Sequence, residues 1–275
     1  MSLHHFIIQY SDKLINKKGL ANIKNEIIWY LEYLKICDRQ KIYLNEIVLT
    51  SELCSLVENF GNKRLQGIPF QYIINKGTFY GRDFLITEHT LIPRPETESL
   101  IHCIKNKFFN SALEIGTGSG ILALTLLKEK IVRHVLATDI SSQALAVAQK
   151  NALQMNVSNI TFQKHDFLKE SINGKYDLII SNPPYISKSE FDELPNSIKN
   201  YEPNIALTDN NDGLDFYMRF ADILSNILES DGMFICELGS SKIISSVKQI
   251  FESKKYKIQI FKDMNLDDRV LQITL

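Results

Sequence analysis

The sequence predicts an α/β protein: a doubly wound, mostly parallel sheet that finishes on an antiparallel strand pair, preceded by a small N-terminal helical bundle and a β-hairpin linker. Three observations predict it. Apolar residues keep a helical period through residue 75, with no strand signal between. From Ser111 onward, strand-like and helix-like runs alternate, the pattern of strands joined by helical crossovers. The last two strand-like runs, "KYKIQIFKDM" and "DRVLQITL", are separated by only a short turn, so they must pair antiparallel at a sheet edge. The expected boundaries are 1–75 for the bundle, 76–95 for the hairpin linker and 96–275 for the sheet domain.

Within the bundle, "NIKNEIIWYLEYLKI" sets Ile23, Ile27, Tyr30, Leu31 and Leu34 on one stripe, with Asn22 as the expected N-cap. "TSELCSLVENF" repeats the pattern with Leu53, Leu56, Val57 and Phe60, and Gly61 suits a helix stop. The period then changes. "GTFYGRDFLITEHTLIPRPETE" alternates aromatic and polar residues about Gly81, the pattern of a β-hairpin that Pro93 and Pro95 end. "ETESLIHCIKNKF" resumes helix. After it, "SALEIGTG", "RHVLATDI", "NITFQKHD", "KYDLIISN" and "GMFICELG" read as strands. "GILALTLLKEK", "SSQALAVAQKNALQM" and "YMRFADILSNILES" read as helices among them.

Composition narrows the function classes. The 275 residues carry a net charge of −1, so no overall basic field points to a nucleic-acid duplex. The four cysteines, Cys37, Cys54, Cys103 and Cys236, are scattered. They form neither a disulfide framework nor a C-x-x-C metal pair, and reduced thiols in a cytoplasmic protein fit best. The six histidines lack ligand spacing, and no metal site is expected. "MSLHHFIIQYSDK" lacks the charged start and long apolar core of a signal peptide, and no apolar run spans a bilayer.

"LEIGTGSGILAL" follows a strand and opens a helix. Gly116, Gly118 and Gly120 allow a tight turn and close approach of the backbone to a ligand. The spacing G-x-G-x-G is neither the dinucleotide fingerprint nor a P-loop, so alone it is also compatible with a bare turn. Asp139 ends the next strand, where a carboxylate can accept both ribose hydroxyls of a nucleoside. It also reads as a neighbour of a helix N-cap. Asp166-Phe167 follows the third strand. A carboxylate there can receive the adenine amino group and a ring can cover the base, although Phe167 reads equally as a core residue. Three such features at successive strand ends point to a ligand crevice.

The fourth strand, "DLIIS", stops at Asn182-Pro183-Pro184-Tyr185. Proline cannot donate to a sheet ladder, so the strand must end there. In a sheet of order 3-2-1-4-5 the first and fourth strands are neighbours, and this loop faces the glycine loop. "EIGTGSG" with "NPPY" resembles the class I, Rossmann-like S-adenosylmethionine-dependent methyltransferases that act on planar NH2 groups. Such a nitrogen is a poor nucleophile, because its lone pair is conjugated. The Asn182 side-chain oxygen and the Pro183 carbonyl are two acceptors for its N–H bonds. The prolines fix the carbonyl's direction, and Tyr185 can pack on the planar group.

The resemblance narrows further. "RLQGIPFQYIINKGTFYGRDFLITEHTLIPRPETE", "ALEIGTGSG", "DLIISNPPYI", "YEPNIALTDNNDGLDFY", "ELG" and "DDRVL" are similar to the bacterial release-factor glutamine methyltransferases, the PrmC or HemK family. The likeness runs from about residue 64 to the C-terminus, while the first helices match in type rather than in motif. It implies methylation of the glutamine N5 in the Gly-Gly-Gln motif of class 1 peptide chain release factors, with S-adenosylmethionine as cofactor. It implies a bundle that docks the release factor, an expected monomer, and neither nucleic acid nor membrane as partner. The implied cofactor residues are Gly116, Thr117, Gly118, Ser119, Gly120, Asp139, Phe167 and Asn182. Asn182, Pro183, Pro184 and Tyr185 form the implied glutamine site, with Asn182, Pro183 and Tyr185 as its reacting-centre contacts. Position 167 is often Trp in the family, and some members have Asp where Glu114 stands. Arg94 either lines the site or binds release-factor backbone, or else makes a structural ion pair. Tyr201 and Glu202 either shape a loop over the substrate or are structural, and Glu237 is expected only to buttress the glycine loop. Two rivals stay open: a DNA adenine-N6 or cytosine-N4 methyltransferase, opposed by the neutral charge and the missing target-recognition domain, and a non-catalytic cofactor-binding regulatory module, opposed by the intact NPPY.

Overall fold

A computed structural model describes residues 1–18 and 20–275. The chain divides into two compact units, Met1–Asn75 and Lys76–Leu275. Among the described residues, no helix is long and apolar enough to cross a membrane.

The first unit is helical: α1 (Leu3–Lys18), α2 (Ile23–Tyr33), α3 (Arg39–Tyr43), α4 (Ser51–Gln66) and α5 (Phe70–Ile73). Its core is its own, built on Leu3, Ile7, Ile27, Ile28, Leu31, Val57 and Phe60. The α2 stripe differs in detail from the periodic reading. Ile28 joins the buried face, whereas Leu34 lies past the helix end and is exposed. Asn22 occupies the N-cap position, but its side chain makes no capping bond. Thr50 does cap α4, accepting from the Leu53 N–H.

Gly61 does not stop α4. The helix runs through it to a left-handed C-cap at Gly67. The reason is contact rather than conformation: a Cβ on Gly61 would lie 2.5 Å from Tyr10 Cε1 and 2.9 Å from Leu14 Cδ1. A residue that looks like punctuation in sequence is the place where α1 crosses close to α4.

The second unit opens with β1 (Lys76–Phe79) and β2 (Arg82–Leu85), an antiparallel hairpin turning at Tyr80-Gly81. Phe79 and Phe84 are buried in the same core as Leu100, Leu122 and Ile180, so the hairpin belongs to this unit. A 3-10 turn, Pro95–Thr97, leads into α6 (Glu98–Ile104). The sheet then comprises β3 (Phe109–Ile115), β4 (Val132–Asp139), β5 (Ile160–Lys164), β6 (Tyr176–Ser181), β7 (Leu228–Glu237), β8 (Ile258–Lys262) and β9 (Asp268–Thr274). Helices α7 (Ile121–Lys128), α8 (Ser142–Gln154), α9 (Lys188–Glu193), α10 (Asn196–Lys199), α11 (Asp215–Ile227) and α12 (Ser241–Ser253) connect them. Of these, α9, α10 and α12 are not among the elements read from periodicity.

The strand order is β5-β4-β3-β6-β7-β9-β8. β3 to β7 are parallel, and β9 runs antiparallel between β7 and β8. The doubly wound architecture with an antiparallel final pair is therefore the one expected. Both faces are covered, one core gathering around Leu122, Leu124 and Ile180, the other around Ile179, Phe220 and Phe234.

Register determines what meets at the carboxyl edge. Ile115 pairs with Thr138 on one side and Ser181 on the other, and Ser181 pairs with Cys236. The next residue on each strand is then Gly116, Asp139, Asn182 and Glu237, a row of four across neighbouring strands. This is the crevice at the chain reversal where open α/β sheets bind ligands.

Candidate active site

Three of the four, Gly116, Asp139 and Asn182, line a cavity of ≈ 370 Å³ together with Thr117, Gly118, Ser119, Phe167 and Pro183. Gly116 and Gly118 both have positive φ, and a Cβ on either would enter space with no protein atom within 4 Å. Any side chain there would project into the cavity. The loop therefore offers bare backbone to a ligand, the requirement for close approach. Thr117 and Ser119 are both buried.

What holds this loop is a buried carboxyl group. Glu114 Oε2 accepts from the Thr117 hydroxyl at 2.7 Å and from the Ala123 N–H at 3.1 Å, bridging the strand end to the first turn of α7. Complete burial pushes its pKa up to about 8, against the Thr117 and Ala123 hydrogen bonds. The role assigned to Glu237 in the sequence reading is thus filled by Glu114. Asn151 of α8 adds a second tie: its amide donates to the Ser119 and Leu85 carbonyls and accepts from the Leu85 N–H. The hairpin and the glycine loop are locked together through one buried side chain.

Asp139 receives the Gly118 N–H on Oδ2 at 2.8 Å and the Ser141 N–H on Oδ1 at 2.9 Å. Ser141 caps α8, and Asp139 is the neighbour of that cap. Each Asp139 oxygen keeps a lone pair for a further donor. Burial raises its pKa, and these amide bonds oppose that. Phe167 is packed in the core. Its ring packs on Phe220, centroids 4.4 Å apart, and on Phe216, and it also lines the cavity. Asp166 sits beside it in an ion pair with Lys169.

Asn182 and Pro183 line a second, smaller cavity of ≈ 180 Å³ as well, together with Arg94, Tyr185, Leu194 and Leu207. They stand where the two cavities meet. The NPPY backbone is held from outside: a Cβ on Gly213 would fall 2.3 Å from the Tyr185 carbonyl oxygen, so the chain after Asn210 presses directly on it. The Asn182 amide donates to Thr97 Oγ1 at 3.1 Å, and the Tyr185 hydroxyl donates to Glu237 Oε1 at 3.1 Å. Burial first, then the Glu237 charge, drives the Tyr185 pKa upward, so it stays a neutral phenol.

Arg94 pairs with Glu202 at 2.6 Å, and Glu202, almost fully buried, also accepts from the Ile92 N–H. This ties the "IPRP" segment to the "YEP" loop. The ion-pair reading of Arg94 therefore holds, while its side chain still lines the smaller cavity.

Thr97, Glu114 and Asn151 were not selected from sequence. Parallel register is the signal that finds Glu237, since it follows the Ser181–Cys236 pair. Thr97 and Asn151 act across 85 and 66 residues of chain separation, and no local pattern marks them.

Residues 95–197, from the 3-10 turn past the NPPY loop, match the methyltransferase small domain family. The fold is shared with a methyltransferase from Pyrococcus furiosus, at a TM-score of 0.57 and 19% identity over 79% of this chain and 98% of that one. In sequence, the release factor glutamine methyltransferase of Bacillus subtilis (strain 168) is 34% identical over 281 residues, covering 92% of this chain and 97% of that protein. That of Streptococcus pneumoniae is 40% identical over 242 residues, covering 87% and 86%. Likeness over nearly the full length of such relatives, with the glycine loop and NPPY brought to one crevice, establishes that the chain belongs to the release factor glutamine methyltransferase family.

Proposed function

We propose that this protein transfers a methyl group from S-adenosylmethionine to the side-chain amide nitrogen of the glutamine in the Gly-Gly-Gln motif of class 1 peptide chain release factors. The observation that carries the reading is the position of Asn182 and Pro183 at the junction of a large cavity, lined by the glycine loop and Asp139, with a smaller one lined by Tyr185. A donor on one side and a planar amide on the other would meet at these two residues. DNA methylation is not favoured, and neither is a non-catalytic module.

The cofactor fits the residues present. Gly116 and Gly118, where no Cβ stands in the way, would let its methionine end lie close against the loop backbone. Asp139 would accept the ribose hydroxyls on its free lone pairs, and Phe167 would lie against the base. When bound, the cofactor supplies a methyl group on a positively charged sulfur, already activated for displacement. The chain's task is then to hold the acceptor. Asn182 Oδ1 and the Pro183 carbonyl would accept the two glutamine N–H bonds and turn the nitrogen's lone pair toward the larger cavity. Pro184 stiffens that carbonyl, and Tyr185 packs on the amide plane. Alignment of this kind lowers a barrier by roughly 7–11 kcal/mol. The nitrogen sheds its proton after it gains the methyl group, when it has become strongly acidic, so no side-chain base is needed beforehand.

Residues 1–75 would dock the release factor, in a monomeric cytoplasmic protein. Incubating the protein with S-adenosylmethionine and a purified class 1 release factor, then sequencing its peptides by mass spectrometry, tests the reading. A gain of one methylene on the Gly-Gly-Gln glutamine is expected. An unmodified glutamine, or methyl transfer to DNA instead, would overturn it.

A further inference from the structure

An asparagine used as an acceptor has an orientation problem. Its oxygen and nitrogen are nearly the same size, and a half-turn of the amide exchanges them. With Oδ1 facing the substrate, Asn182 accepts an N–H. With Nδ2 facing it, two donors oppose each other. Something must choose.

The immediate neighbour is Thr97, whose Oγ1 takes the Asn182 Nδ2 at 3.1 Å. A hydroxyl alone does not settle the choice, since it donates or accepts with equal ease. What settles it is where the Thr97 proton goes. Thr97 is 1% exposed, so bulk water does not take its hydroxyl proton. Beside it stands Glu237, also 1% exposed. The Glu237 Oε1 accepts from Tyr185, while Oε2 is shut away from water with no hydrogen bond closed on it. A buried, half-satisfied carboxylate attracts a donor strongly, and the Thr97 hydroxyl already acts on this one.

We propose that Glu237 and Thr97 are positioning residues for methyl transfer: the carboxylate draws the Thr97 proton, the Thr97 lone pair then takes the Asn182 N–H, and Asn182 Oδ1 is left facing the acceptor nitrogen. The inference rests on the role given to Asn182 under the proposed function, and extends it to two residues that act through Asn182 and Tyr185, although Thr97 also lines the larger cavity. Glu237 thereby holds both ends of NPPY, Tyr185 directly and Asn182 through Thr97.

The relay depends on ionisation. An ionised Glu237 only accepts; a protonated one can donate to Thr97, which then donates to Asn182 and turns Nδ2 outward. Burial pushes the Glu237 pKa up to about 7, opposed by the Thr97 and Tyr185 hydrogen bonds and by Arg269, and raised further by Glu96. The other groups facing it are Tyr217, whose hydroxyl donates to its backbone carbonyl, and Cys236 beside it on β7. Tyr185, Tyr217 and Cys236 are all pushed upward, chiefly by burial, and Arg269 is raised by its bonds to Asp263 and nearby acidic groups against burial. None of these four changes its charge near neutral pH: the two phenols and the thiol stay neutral, and the guanidinium stays charged.

The test uses the full chain with saturating cofactor and a class 1 release factor. Single-turnover rates are measured from about pH 6 to about pH 8.5, with cofactor affinity by calorimetry and melting temperature for each variant. The wild-type rate should rise with pH through about 7. Thr97→Val should slow methyl transfer by at least ~10-fold with cofactor affinity within about twofold, and Thr97→Ser should restore most of the rate. Glu237→Gln can turn either end of its amide to Thr97, but it carries no titrating carboxyl, so it should have lost the pH step. Wild-type speed in Thr97→Val while Asn182→Ala is crippled would overturn this inference and leave the site reading standing. Equal slowing in Thr97→Ser and Thr97→Val would also overturn it, as would a pH step that survives in Glu237→Gln. Absence of glutamine methylation by the wild type would sink both readings together. If Thr97→Val does not fold, the Thr97→Ser rate and the Glu237→Gln pH profile still decide the question.

Discussion

Asp139 and Asn182 stand at the ends of adjacent parts of one sheet edge, yet their removal should separate two quantities. Asp139→Ala deletes a charged acceptor that serves ground state and transition state alike, which is uniform binding. Cofactor affinity should fall by about 1.5–3 kcal/mol, with the single-turnover rate at saturating cofactor little changed. Asn182→Ala should do the reverse, since misplacing a reacting atom by ~1 Å costs roughly 10²-fold in rate. Calorimetry and single-turnover kinetics on both variants check the pair; an unchanged rate in Asn182→Ala would reduce NPPY to a stiff strand end. Glu114 yields a different residue-scale expectation. Its folded pKa of about 8 lies above the ordinary carboxylate value. The folded state therefore keeps a proton that the unfolded state has lost, and this contribution to stability declines as pH rises from about 4.5 through about 8. Glu114→Gln, an uncharged isostere, should melt near the wild type at the acid end of that window and above it at the alkaline end. A melting difference independent of pH would contradict the assignment. At this scale sequence named the loop, Asp139 and NPPY correctly as neighbours. It did not reveal that Thr117 hangs from Glu114 or Asn182 from Thr97, because those bonds join residues placed together only by the sheet.

Elements were legible where a period was long and uninterrupted. The alternation after Ser111 led to a correct strand order, since crossover connections between parallel strands leave few topologies. Short or interrupted helices, α9 and α10, carry too few turns for a period to show. Gly61 misled for a physical reason: glycine ends helices through its left-handed conformation, but it also lets two helices approach closely, and a single sequence does not distinguish these. Gly61→Val should therefore cost at least ~2 kcal/mol by forcing Tyr10 and Leu14 from their places, more than the small gain in helix propensity returns. Chemical denaturation of the variant measures it; a neutral result would mean that α1 shifts freely.

For the whole molecule, the division into Met1–Asn75 and Lys76–Leu275 separates the hydrophobic core of the first unit from the two of the second, with no residue shared. Every proposed cofactor residue lies in the second unit. Removing residues 1–75 should leave S-adenosylmethionine affinity within about twofold while slowing methylation of an intact release factor. Unchanged kinetics on that substrate would remove the docking role from the bundle. Sequence by itself determined the fold class, the family and the strand ends where chemistry is placed. Those depend on hydrophobic period, on glycine and proline at turns, and on short motifs that local stereochemistry constrains. Tertiary structure alone decided how the site is held: Glu114 under the glycine loop, Asn151 between hairpin and loop, Glu202 on Arg94, and Glu237 beneath both ends of NPPY. These are buried polar groups satisfied by partners far along the chain, and only parallel register and packing bring such partners within hydrogen-bonding distance.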